Sequence, residues 1–145
     1  MRVLILHGPN LNCLGKRETQ IYGTTSLEQL NSSLLALAKL HHCNVEIFQE
    51  NCEGKLLDKL YASMHNIDAI LINPGALAHS SIALLDAFKC LQLPFIEIHL
   101  SNIYAREPFR AHSYLAPQAL GVICGLGVLG YELGLLALIK NYQEN

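Results

Sequence analysis

Val3-Leu4-Ile5-Leu6-His7-Gly8-Pro9-Asn10 stands almost at the start of the chain, and how it is read decides the fold. Four apolar residues in a row, without polar alternation, read as a short strand buried on both faces. They meet Gly8-Pro9-Asn10 at once, so the run lacks the longer apolar region and small-residue cleavage site of a signal peptide. Four similar runs follow: Val45-Glu46-Ile47-Phe48, Ala69-Ile70-Leu71-Ile72, Phe95-Ile96-Glu97-Ile98 and Leu120-Gly121-Val122-Ile123. Most are rich in β-branched residues, and they read the same way.

Helical patterns separate the runs. Ser26 can cap the first helix, with Gln29 completing a capping box. Leu27, Leu30, Leu34 and Leu37 then mark its apolar face. Leu57, Leu60, Tyr61 and Met64 mark the second helix. Leu84, Leu85, Phe88 and Leu91 mark the third, which follows Ser80 or Ser81 as N-cap and must end before Pro94. A last helix is expected from about Val128 to Tyr142. Five strands alternating with helices imply right-handed crossovers and a parallel sheet covered on both faces. The fold class expected is α/β, a flavodoxin-like three-layer sandwich with a five-stranded parallel sheet, in a single domain over residues 1–145.

Composition limits the functions open to this domain. Half the chain is apolar (51%) and the formal net charge is −2, so no charge footprint for nucleic acid or anionic lipid is present. No apolar run reaches the length of a membrane span. The five cysteines are odd in number, widely spaced and without a C-x-x-C pair, which reads as free thiols in a reducing, cytoplasmic compartment.

In open parallel sheets ligands bind beyond the carboxyl ends of the strands. Here those ends carry His7-Gly8-Pro9-Asn10, Asn73-Pro74-Gly75 and His99-Leu100-Ser101-Asn102. The connection from Gly8 to Thr25 is about 18 residues, against the usual 2–6 of such a loop. It is either a binding loop carrying Asn10, Asn12, Arg17 and Tyr22, or a surface loop that happens to be polar. Glu97 and His99 share one face of a strand. Either the carboxylate fixes the imidazole for proton transfer, or each is separately satisfied in the core. Arg106 and Arg110 fall on one face if their segment is helical, and two guanidinium groups can fix an anionic or hydroxylated ligand; a solvated charged turn is the alternative. His79 stands at the mouth of the same cleft, as ligand group or structural residue.

The histidines lack the short spacings of zinc sites, so no metal ligand is assigned. Gly125-Leu126-Gly127-Val128-Leu129-Gly130 matches the dinucleotide-binding glycine pattern but follows the last strand, with no acidic residue at the required distance. These glycines suit a tight turn and close helix packing. A signalling receiver would carry clustered acids after strand one and an aspartate after strand three, where His7-Gly8-Pro9-Asn10 and Asn73 stand. A flavin carrier would need a Ser/Thr-rich phosphate loop after strand one, which is absent. A different small-molecule lyase or transferase remains the rival enzyme class.

These residues resemble a known family. Gly8-Pro9-Asn10-Leu11-Asn12, Leu14-Gly15, Arg17-Glu18 and Tyr22-Gly23 are similar to the opening signature of type II 3-dehydroquinate dehydratases. Asn73-Pro74-Gly75 with His79 resembles a second block, and Ile96 to Ile103 with Ala105-Arg106-Glu107 and Phe109-Arg110 a third. His112-Ser113-Tyr114, Gly121-Val122-Ile123 and Gly125-Leu126-Gly127 complete the match. The resemblance implies anti elimination of water from 3-dehydroquinate through an enolate, in the shikimate pathway, with no cofactor and no metal. It makes Tyr22 the base, Arg17 its activator, and Asn10 the holder of the water that stabilises the enolate. It makes Glu97 and His99 the acid side. Asn73, His79 and Arg110 would bind substrate hydroxyls, Leu100 and Ser101 the carboxylate, and Arg106 would belong to the same segment. Asp86 would reach a neighbouring subunit's site in a homododecamer, a tetramer of trimers. Three positions depart from the family pattern: Thr19 where proline is usual, Cys13 where an aliphatic residue or methionine is frequent, and Ala78 where threonine is common.

Overall fold

The computed structural model describes residues 1–144. Five strands, β1 (Arg2–His7), β2 (Asn44–Gln49), β3 (Ala69–Asn73), β4 (Phe95–His99) and β5 (Gly121–Cys124), form one parallel sheet in the order β2-β1-β3-β4-β5. The helices are α1 (Thr19–Tyr22), α2 (Leu27–Leu40), α3 (Glu53–Ser63), α4 (Ile82–Leu91) and α5 (Leu129–Glu144). Helices α2 and α5 cover one face of the sheet and α3 and α4 the other. This is the three-layer flavodoxin-like sandwich expected from the alternation of runs.

Each strand serves both layers because its side chains alternate. Val3 and Ile5 of β1, Leu71 of β3, and Ile96 and Ile98 of β4 meet Leu30 and Leu34 of α2 and Leu135 and Leu138 of α5. Leu4, Leu6, Ile70, Ile72 and Phe95 face Leu56, Leu60, Leu84 and Phe88 on the other side. All are buried, and each such aliphatic or aromatic side chain contributes about 1.5–3 kcal/mol relative to exposure. The capping box forms as expected, with Gln29 N–H donating to Ser26 Oγ and Ser26 N–H to Gln29 Oε1. Ser81 is the cap of α4, accepting from Leu84 N–H.

Two expectations need correction. Only β1, β3 and β4 are buried on both faces; β2 and β5, at the sheet edges, are partly exposed. The buried face of α3 is Leu56, Leu60 and Ser63, not the row through Tyr61, which is exposed. The glycine-rich segment after β5 is a turn, with Gly125 and Gly127 at φ +87° and +58°, and the helix behind it runs Leu129–Glu144.

The chain leaves β1 toward β2 in one direction and passes from β3 to β4 in the other, so a crevice opens where β1 and β3 end. His7 and Asn73 are partners across that ladder. Gly8 holds the two ends together: its N–H donates to Asn73 O at 2.8 Å, and a Cβ there would stand 2.6 Å from Pro74 O.

Candidate active site

The crevice encloses about 180 Å³, small beside the roughly 300–1,000 Å³ of drug-sized ligand sites, and therefore suited to a single small ring. Its lining includes Asn10, Arg17, Tyr22, Asn73, His79, His99, Leu100, Ser101, Arg106 and Arg110. Three arginines against the single lining carboxylate of Glu18 give the cleft a positive field, which suits an anionic ligand.

One wall is built on β4. Glu97 is fully buried and His99 is 5% exposed. His99 Nε2–H donates to Glu97 Oε1 at 2.6 Å, and Ser113 Oγ–H donates to Glu97 Oε2 at 2.9 Å. Ser113 Oγ in turn accepts from the N–H groups of Leu115 and Ala116, both at 3.1 Å. The buried carboxylate thus has a partner on each oxygen, which its burial requires. With Nε2 engaged, His99 has Nδ1 left for a ligand. Its ring stacks on that of His79 with centroids 6.0 Å apart, and His79 Nδ1–H donates to His112 O at 2.6 Å.

The opposite wall comes from the long connection after β1. It is not irregular throughout: Leu11–Cys13 forms a 3₁₀ turn, and α1 carries Tyr22 in its last position. The guanidinium carbons of Arg17 and Arg106 stand 5.2 Å and 5.3 Å from the centroid of the Tyr22 ring. Both guanidinium groups therefore flank the phenol ring. Arg106 also donates from Nη1 to Ser101 Oγ at 3.1 Å, tying the loop wall to the end of β4. Asn10 has φ +71°, a left-handed conformation that asparagine tolerates. Its N–H donates to Asn51 Oδ1 at 2.9 Å, and Gln49 Nε2 donates to the same oxygen at 3.0 Å.

The segment carrying both remaining arginines is not one helix. It is two 3₁₀ turns, Ile103–Ala105 and Pro108–Ala111, broken before Pro108. Arg106 and Arg110 nevertheless both reach the cleft. Arg110 Nε donates to the Glu107 carboxylate, and this bond holds the Glu107 carboxyl below its usual range.

The fold therefore brings together the residues singled out for the site, with two exceptions, Asn12 and Asp86. Asp86 is exposed on α4 and does not line the cleft of its own chain. Asn12 also turns away, into a groove with Leu35 of α2. Reading the sequence missed Ser113 and Asn51 as supports, since neither is near its partner along the chain.

Comparison with known proteins gives the same neighbourhood. The family model described as Dehydroquinase class II matches residues 1–139. A 3-dehydroquinate dehydratase of Histophilus somni strain 2336 is 54% identical over 143 residues, covering 99% of this chain and 95% of the relative. The crystal structure of a type II dehydroquinase from Propionibacterium acnes superposes with a TM-score of 0.92 at 41% identity, covering 96% of both chains. That from Butyrivibrio crossotus gives 0.93 at 39% identity, covering 97% of both.

Proposed function

We propose, for a chain that belongs to the class II dehydroquinase family, the 3-dehydroquinate dehydratases of the shikimate pathway, that this cleft performs the dehydration by two groups on opposite walls. The observation that carries the proposal is the pairing of a phenol flanked by two guanidinium groups with a histidine backed by a buried carboxylate.

Tyr22, ionised with the help of Arg17, takes the proton from the carbon beside the substrate ketone. The electron pair moves onto the carbonyl oxygen as an enolate, stabilised by a water that Asn10 helps to hold. The enolate then re-forms the ketone while the bond to the hydroxyl breaks on the other face. His99 gives its Nδ1 proton to the departing oxygen, which leaves as water. Glu97 steadies the imidazolium before that transfer, and Ser113 keeps Glu97 in place. A donor worth about 10²–10⁴-fold is the usual scale for such an acid.

Asn73, His79 and Arg110 bind the ring hydroxyls. Leu100 and Ser101, at the end of β4, take the carboxylate, with Arg106 reinforcing the charge there. Neither a cofactor nor a metal is required, because base and acid are both side chains of the cleft.

Asp86 points the reading toward an assembly, in which it reaches a neighbouring subunit's cleft. The assembly is a homododecamer, a tetramer of trimers, in the cytoplasm. Leu120, Val122, Leu126, Leu129 and Leu133 form an exposed apolar area around β5 and the start of α5 that supports such contacts. Light scattering that finds a stable active monomer would contradict it.

The direct test of the activity is incubation with 3-dehydroquinate while following the ultraviolet absorbance of the conjugated enone product. Rising absorbance that survives chelators is expected. Absence of any product with folded protein would overturn the reading.

A further inference from the structure

Gly8-Pro9-Asn10, the turn by which the chain leaves β1, is held from the end of β2 by side chains that the elimination does not use. His7, the last residue of β1, is fully buried and pinned from the core: its Nε2 lies 2.9 Å from Asn31 Oδ1 and its Nδ1 2.8 Å from Tyr131 Oη. Its carbonyl oxygen accepts the Glu50 N–H at 3.0 Å. The Gly8 carbonyl oxygen accepts from Gln49 Nε2 at 3.3 Å. Pro9 has no N–H to give. The next donor is the Asn10 N–H, which goes to Asn51 Oδ1 at 2.9 Å.

Chemistry fixes the direction of each bond. A backbone N–H only donates, so the Asn51 atom facing Asn10 is its oxygen. A backbone carbonyl only accepts, so the Gln49 atom facing Gly8 is its NH₂ group, which also donates to Asn51 Oδ1 at 3.0 Å. Gln49 thus aims the Asn51 carboxamide, and neither amide can be flipped without losing its bonds. Glu50 fixes the backbone beside it, one carboxylate oxygen accepting the N–H groups of Asn51 at 2.8 Å and Cys52 at 3.1 Å.

Asn10 needs such a hold. It sits at φ +71° and ψ −3°, a left-handed conformation that a residue with a side chain keeps where its surroundings impose it. It heads the 3₁₀ turn Leu11–Cys13, yet its side chain makes no capping bond to that turn, the bond asparagine commonly makes there. The carboxamide is left for the cleft, which Asn10 lines and Asn51 does not.

We propose that Asn51 is a positioning residue for Asn10. Its carboxamide oxygen holds the Asn10 N–H, and with it the left-handed turn, so that the Asn10 side chain meets the water that stabilises the enolate. Asn51 touches no substrate and acts through Asn10. The inference rests on the reading of Asn10 as the holder of that water.

Asn51→Ala tests it, because it removes the acceptor at an exposed position. An interaction made only as the enolate forms shows in kcat rather than KM. Loss of one hydrogen bond of ordinary strength is expected to lower kcat for 3-dehydroquinate about 10-fold while KM changes less than about 3-fold. Asn51→Asp keeps an oxygen for both donors and should hold kcat within about 3-fold of wild type. In an Asn10→Ala background, Asn51→Ala should cost nothing further. A crystal structure of Asn51→Ala should show Asn10 moved from its left-handed conformation. An unchanged kcat in folded Asn51→Ala would overturn the proposal, and so would a rise in KM alone, an unmoved Asn10, or the same fold-loss in the Asn10→Ala background. Asn51→Asp as slow as Asn51→Ala would also contradict it. If Asn51→Ala does not fold, Gln49→Leu, which removes the donor that aims Asn51, decides by the same readouts. An Asn10→Ala variant with unchanged kcat would sink the reading of Asn10 itself, whereas a slow Asn10→Ala beside a wild-type-like Asn51→Ala would sink this inference alone.

Discussion

The two walls of the cleft are built in different ways. Glu97 and His99 stand on the central strand β4, buried, with both Glu97 oxygens hydrogen-bonded inside the protein. Tyr22 and Arg17 stand on the connection after β1; Tyr22 is half-buried and the Arg17 side chain is 45% exposed. The Arg17–Glu18 ion pair spans 4.0 Å between exposed groups and contributes little to fixing that wall. The wall carrying Glu97 and His99 is thus assembled by folding itself. The wall carrying Tyr22 and Arg17 is held by ring-to-guanidinium contacts across more exposed chain.

The contrast can be broken from the loop side first. Tyr22→Phe keeps the ring between the two guanidinium groups and deletes the oxygen proposed to act as the base. Turnover should fall by at least about 10³-fold, within the range of a lost general base, while equilibrium binding of substrate stays close to wild type. Substantial residual turnover would move the base to another residue.

The scaffold side can be probed through pH. His7 has its folded pKa near 4, below the ordinary 6.5, so the unfolded chain binds the extra proton first as pH falls. Stability from this residue is fully present above about 6.5 and is lost as pH drops toward 4. At about 1.4 kcal/mol per unit, the loss is on the order of 3 kcal/mol. Thermal denaturation of wild type against His7→Asn should show a steeper acid decline for wild type in that window. Parallel curves would mean that His7 is not the buried neutral base described.

A smaller effect sharpens the role of the carboxylate. Glu97→Gln preserves size but removes the charge that steadies protonated His99. A hydrogen bond to a charged group is worth about 1.5–3 kcal/mol, so kcat should fall roughly 10- to 100-fold, less than for loss of His99. Equal losses for the two variants would give Glu97 a part in the chemistry beyond orienting its neighbour.

How much of this was legible in the sequence depended on distance along the chain. The runs of β1, β3 and β4, the capping box at Ser26 and the pair Glu97/His99 are local patterns, and each was readable. The edge strands were misjudged because Val45-Glu46-Ile47-Phe48 is apolar enough to look central, although position in the sheet sets burial. The two arginines were placed in the cleft correctly for the wrong local reason: Pro108 breaks the segment into two turns, and tertiary packing brings Arg106 and Arg110 together. Ser113 lies 16 residues from Glu97, and Tyr131 lies 124 from His7. No periodicity or motif spacing encodes such pairs; the chain must fold before they meet.

The central claim is that base and acid act in separate steps from separate walls. The measurement that tests it most directly follows His99→Ala by two readouts at once: dehydration of 3-dehydroquinate, and exchange of the proton beside its ketone with deuterated solvent. Dehydration should fall by about 10²–10⁴-fold, while exchange, which needs only Tyr22 and the enolate, should persist near the wild-type rate. Exchange that falls in step with dehydration would contradict the assignment of His99 to the second step.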